Sequence, residues 1–112
     1  MKRGDIVDIN LGVPPSEIKG HEQGYIRPCF VVKSLDALKL AIILPITGTE
    51  NSYMHYTTVE LKGGIGGLTK DSYVLCHQIR TVSIDRLVKK RGTASTRDLS
   101  KVISVLKDTL EM

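Results

Sequence analysis

The stretch Cys29-Phe30-Val31-Val32-Lys33-Ser34-Leu35-Asp36-Ala37-Leu38-Lys39-Leu40-Ala41-Ile42-Ile43-Leu44 decides the fold. It holds two short apolar runs, Cys29–Lys33 and Leu40–Leu44, separated by a turn over Ser34–Lys39. Both runs are apolar on consecutive residues, which suits strands buried on two faces. No helix stands between them, so they are expected to pair antiparallel. Pro45 follows the second run, where a strand terminus tolerates it better than a strand middle does.

Working outward, Ile6-Val7-Asp8-Ile9-Asn10-Leu11 partly alternates and lacks breakers, which predicts a first strand. Gly12 to Ile26 is long for a loop and contains Pro14-Pro15, Gly20 and Gly24, all opposed to regular structure. Loops of this length tend to be functional or disordered. Ile46 to His55 is polar and reads as a second loop at the same end of the sheet. Tyr56–Leu61 has the β-branched and aromatic content of a strand. Gly63-Gly64-Ile65-Gly66-Gly67 then breaks the chain. A phosphate-cradling loop needs Gly-Lys-Ser/Thr opening a helix. Here Leu68-Thr69-Lys70-Asp71 leads to a strand, so a flexible hairpin connection is expected.

Ser72–Cys76 and Ile79–Val82 are strand-like on either side of His77-Gln78, and Ile84–Leu87 suits a short helical turn. Val88–Ala94 reads as an edge strand whose lysines discourage further pairing. The last element is a helix. Ser95 with Asp98 three residues on resembles a capping box. Leu99, Val102, Ile103, Leu106 and Leu110 make one apolar stripe that should pack on the sheet. The expected architecture over residues 1–112 is a single domain, mainly β with a C-terminal helix, its antiparallel sheet curled towards a small barrel.

Composition excludes little. Hydrophobic residues make up 41% and charged residues 25% of the 112, ordinary for a globular chain. No run of 18 apolar residues occurs, so no spanning helix and no membrane association are expected, and the N-terminus lacks a signal-peptide core. A cytoplasmic location is the resulting expectation. The formal net charge of +4 favours polyanionic partners such as nucleic acid or an acidic protein. Cys29 and Cys76 both sit in apolar runs and read as buried thiols, and no Cys/His cluster suggests a metal.

The stretch that stands out chemically is Gly20-His21-Glu22-Gln23-Gly24-Tyr25-Ile26-Arg27-Pro28. It is a polar loop running into a buried strand, with Arg27 at the junction. A cation fixed there beside His21 and Glu22 suits chemistry on a phosphate, although a solvated surface loop is the plain alternative.

Four segments taken together resemble the MazF/PemK (Kid) family of toxins from type II toxin-antitoxin systems. They are Lys2-Arg3-Gly4-Asp5-Ile6-Val7, Gly20–Gly24 with Ile26-Arg27-Pro28, Leu44-Pro45-Ile46-Thr47, and Asp71–Thr81 with its Gln78-Ile79-Arg80-Thr81. They occur in consistent order between about Lys2 and Leu110. The resemblance implies an SH3-like small barrel with a C-terminal helix, assembled as a homodimer. It implies a metal-independent, cofactor-free endoribonuclease, an mRNA interferase that cuts single-stranded RNA at short sequences and stops growth. The products would carry a 2′,3′-cyclic phosphate and a 5′-hydroxyl. A cognate antitoxin with a flexible acidic tail would block the site.

Such a reaction uses the RNA's own 2′-hydroxyl as nucleophile, so the protein must manage protons and phosphorane charge. Arg27 matches the family's catalytic arginine and Thr47 its strand-end threonine. His21 matches the histidine of the PemK/Kid branch, and an imidazole titrating near ~6.5 can move protons. That branch also uses an arginine and an aspartate where this chain has Leu75 and His77. Leu75 is no acid, so that pair does not carry over, and His77 stands as a substitute acid, base or base contact, or else as a structural histidine. Glu22 and Gln23 would shape the loop and bind the RNA backbone. Tyr25, Tyr53, His55 and Tyr56 are stacking candidates, Asn51 and Gln78 edge readers, and Arg80 and Lys19 phosphate contacts. Two other readings are a gyrase-binding toxin of the CcdB type and a family member whose nuclease activity has decayed.

Overall fold

The computed structural model describes residues 1–12, 26–48 and 56–112. Within them the chain forms seven strands and one α-helix. The strands are β1 (Asp5–Asn10), β2 (Ile26–Leu35), β3 (Leu40–Thr47), β4 (Thr58–Leu61), β5 (Ser72–Leu75), β6 (Arg80–Ser83) and β7 (Leu87–Thr93), followed by α1 (Thr96–Leu110).

The two apolar runs are the centre of the sheet. In β2 the side chains alternate between two cores, as the strand period of two requires. Phe30 and Val32 join Ile6, Leu44, Ile46, Leu61, Val74 and the helix residues Val102 and Leu106. Cys29 and Val31 join Val7, Ile9, Ala41, Ile43 and Val82 on the opposite face. Burial on both faces explains why these strands read as continuous apolar runs.

All strand pairs are antiparallel, in the order β4-β5-β3-β2-β1-β7, with β6 also paired to β3. The bend of the sheet comes from β3, which serves two partners along one edge. Its first half, Leu40 to Ile43, pairs with β6, and its end, Ile46 and Thr47, pairs with β5. The sheet is therefore strongly curved, and among the described strands the barrel is open between β4 and β7.

Two boundaries differ from expectation. Pro45 does not end β3, which runs on through Ile46 and Thr47 and so takes two residues from the expected second loop. Pro45 falls between the β6-paired and β5-paired halves, where that edge of β3 demands no ladder donor. Similarly β2 begins at Ile26 and carries Arg27 and Pro28 inside the strand. Pro28 lies beyond the last β2–β3 pair, Cys29 opposite Pro45.

The helix starts as its sequence indicates. Ser95 Oγ accepts the Asp98 amide at 3.1 Å. Val102 and Leu106 are buried on the sheet, with Leu99 and Val105 packed beside them. The buried face is turned towards Val105, so Ile103 lies on its margin and Leu110, in the last turn, is 43% exposed. The glycine run joins β4 to β5 as expected, but it is packed rather than loose. A β-carbon on Gly67 would lie 2.4 Å from the Arg91 carbonyl oxygen, so the close approach to β7 requires glycine.

Candidate functional site

The strand layout brings the two strongest candidates to one end of the sheet. In the β2–β3 pair Cys29 stands opposite Pro45. Arg27 and Thr47 lie two residues beyond this last pair, each on the same strand face as its neighbour in the pair. Both line a cleft of about 440 Å³ at this end of the sheet. Its far wall is the turn after the glycine run, with Leu68, Thr69, Lys70 and Ser72, and Arg91 of β7 closes one side. Thr47 pairs across the sheet with Tyr73 of β5, which fixes its backbone at the strand end.

The cleft is electropositive. Arg27, Lys70 and Arg91 line it, and none of the described lining residues is a carboxylate. The three cations are held differently. Arg91 Nε donates to Asp8 Oδ1 at 2.6 Å, and its Nη1 donates to the Gly67 carbonyl at 3.3 Å. Asp8 is buried, so Arg91 serves to neutralise it. The side chains of Arg27 and Lys70 make no ion pair among the described residues. A cleft with two cations that no described residue pairs, and a hydroxyl, is suited to a phosphate ester.

Beneath Arg27 lies Cys29, whose Sγ donates to the Arg27 carbonyl at 3.5 Å. Burial pushes this thiol up to about 12, and the nearby guanidiniums of Arg27 and Arg80 offset only part of that. Burial likewise raises the Cys76 thiol to about 11. Both cysteines are free, buried and kept neutral, as the sequence suggests. Neither is a nucleophile.

The remaining candidates separate into two groups. His77, Gln78 and Arg80 lie outside the lining of the cleft. His77 is exposed in the short turn after β5, with Nδ1 2.9 Å from Thr57 Oγ1. Gln78 is exposed in the same turn, and Arg80 opens β6 opposite Ile43 with its charge within reach of Cys29. Leu75 is buried in β5. Tyr56 is 87% exposed. His21, Glu22, Gln23, Tyr25, Asn51, Tyr53 and His55, with Lys19, lie outside the described residues.

Sequence reasoning missed Lys70, Arg91 and Gly48 as members of the cleft. Lys70 was visible as a cation after the glycine run, but nothing local shows that this turn folds back over the end of β3. Arg91 read as one of several edge-strand charges. Only the β1–β7 pairing reveals its partner, Asp8.

Comparison with known proteins agrees with this architecture. A family described as "PemK-like, MazF-like toxin of type II toxin-antitoxin system" matches residues 2–110. An endoribonuclease MazF from Staphylococcus saprophyticus is 34% identical over 105 residues, covering 91% of this chain and 84% of that protein. Among solved structures, MazF from Deinococcus radiodurans superposes with a TM-score of 0.75 at 24% identity, covering 100% of this chain and 97% of that one. An endoribonuclease in complex with its cognate antitoxin, from a mycobacterial species, gives a TM-score of 0.76 at 19% identity, covering 100% and 96%. The two structural likenesses speak for the fold alone.

Proposed function

We propose an endoribonuclease activity for this chain, which belongs to the PemK-like, MazF-like toxin family of type II toxin-antitoxin systems. The observation that carries the proposal is the meeting of Arg27, near the start of β2, and Thr47, at the end of β3, in the lining of one electropositive cleft. The substrate is single-stranded RNA. Its 2′-hydroxyl gives up a proton and attacks the adjacent phosphorus. The P–O5′ bond breaks as O2′ bonds to phosphorus, and O5′ takes up a proton. The products are a 2′,3′-cyclic phosphate and a 5′-hydroxyl.

Arg27 binds the non-bridging oxygens and stabilises the extra negative charge of the phosphorane. Its planar, always-charged guanidinium suits that work. Thr47 donates its hydroxyl to the same phosphate or orients the 2′-hydroxyl. With a guanidinium supplying the charge, the step runs without a metal ion. For proton transfer, His21 is the first candidate, from the loop that enters β2. His77 is a secondary one, because its position on Thr57 and outside the cleft lining favours a contact with an RNA base. Glu22, Gln23, Tyr25, Asn51, Tyr53, His55, Gln78 and Arg80 are proposed RNA contacts. The neutralising partner is a cognate antitoxin with an acidic segment, complementary to the cleft, and the working unit is a homodimer.

Incubating the purified protein with long single-stranded RNA in EDTA tests this reading. Cuts at a few defined sites with 5′-hydroxyl ends are expected. Intact RNA, together with inhibited gyrase supercoiling, would replace the proposal with the CcdB-type alternative.

A further inference from the structure

Lys70 reaches across the α-carbon of Gly48. A β-carbon built on Gly48 would lie 2.4 Å from Lys70 Cε and 3.1 Å from its Nζ. The lysine therefore occupies the space that any other residue at position 48 would claim. Gly48 directly follows Thr47, and both line the cleft with Arg27 and Lys70. Lys70 is exposed, and no hydrogen bond or ion pair among the described residues holds its ammonium. Arg91, on the same cleft, is tied to Asp8 at 2.6 Å. Of the three cations, Lys70 and Arg27 are thus the two without an ion pair among the described residues.

We infer that Lys70 is a second phosphate-binding residue of the RNA cleft, that it takes the phosphate next to the one handled by Arg27, and that Gly48 keeps its place open. The inference rests on the endoribonuclease reading. An ammonium is a hydrated point charge without the fork that grips two non-bridging oxygens. On a flexible, exposed stem it binds substrate and transition state about equally. Its contribution therefore falls on KM rather than on kcat.

Two measurements on the full chain test this. The first is steady-state cleavage of an oligoribonucleotide. The second is binding of its 2′-O-methyl counterpart, which lacks the nucleophile, across a salt series. Lys70→Gln is expected to raise KM about five- to tenfold. It should also make the slope of log affinity against log salt shallower by about 0.7, the share of one phosphate on a single strand. Lys70→Arg keeps the charge and the slope. Gly48→Ala reproduces the Lys70→Gln loss, because its β-carbon meets only the end of a flexible side chain that moves aside without disturbing the fold. The double variant loses no more than Lys70→Gln alone.

Wild-type KM and salt slope in Lys70→Gln would overturn the inference, as would losses from the two single variants that simply multiply. The binding arm needs no cleavage. A protein that binds RNA through Lys70 but leaves it uncut overturns the endoribonuclease reading. One that cuts RNA indifferently to Lys70 overturns only this inference.

Discussion

Arg91 Nε donates to the buried carboxylate of Asp8 at 2.6 Å, and this ion pair joins the edge strand β7 to β1 across 83 residues of sequence. It separates the structural cation of the cleft from the two proposed to bind phosphate. Removing Arg91 leaves a buried carboxylate without its partner. Arg91→Ala is expected to cost about 2–3 kcal/mol of stability, read as a lower urea midpoint at an unchanged slope. Arg27→Ala and Lys70→Gln should shift that midpoint by less than about 0.5 kcal/mol, because neither side chain has an ion-pair partner among the described residues. A midpoint unchanged in Arg91→Ala would show that the pair is not a structural clamp.

Asp5 makes the fold acid-sensitive. Burial by itself would raise this carboxyl. The Lys2 amide at 2.9 Å, the Thr93 hydroxyl at 2.9 Å and the Lys90 ammonium at 3.5 Å outweigh it and hold the group below its ordinary value of 3.8. A carboxyl with a depressed folded-state pKa binds its proton more weakly in the native state than in the unfolded one. The stability it contributes is complete above 3.8 and is lost as pH falls through the lower folded-state value. Urea titrations from pH 6 downward should therefore show a steeper loss below about pH 4 in the wild type than in Asp5→Asn. Parallel curves would remove Asp5 from the account.

The two cysteines should be silent in the native state. Thiolate is the reactive form, and burial holds Cys29 and Cys76 as neutral thiols. A disulfide reagent at pH 8 is expected to label neither in the folded protein and both in urea. Fast labelling of Cys29 in the native protein would mean that the base of the cleft is open to solvent.

Thr47 is predicted to act through its hydroxyl. Thr47→Val keeps the β-branched shape at the end of β3 and should lower kcat about 10- to 100-fold. Thr47→Ser should recover most of the rate. Equal rates in Thr47→Val and wild type would leave Thr47 as a strand residue only.

Much of this protein was legible in its sequence, for identifiable reasons. The runs at Phe30 and Ile43 could only be central strands, and the Ser95 cap and the Val102–Leu106 stripe fixed the helix. Pro28 and Pro45 concealed how far β2 and β3 extend, because a proline's cost depends on which edge of the strand is paired. Arg27 and Thr47 were legible as candidates because each sits in a distinctive segment. That both line one cleft follows from the tertiary fold, which no local pattern supplies. Lys70 and Arg91 reach the cleft through a turn and an edge strand, so their membership depends wholly on tertiary folding. His21 and the other candidates of the two polar segments carry no hydrophobic period, so the sequence alone does not say where their side chains lie.

The central claim is that Arg27 stabilises charge on a cleaved RNA phosphate, and one comparison tests it most directly. Wild type and Arg27→Ala are incubated side by side with the same single-stranded RNA in EDTA, after urea denaturation has shown both to be folded. Site-restricted cleavage is expected from the wild type, with a loss of at least about 100-fold in the variant. Equal cleavage by the two proteins would contradict it.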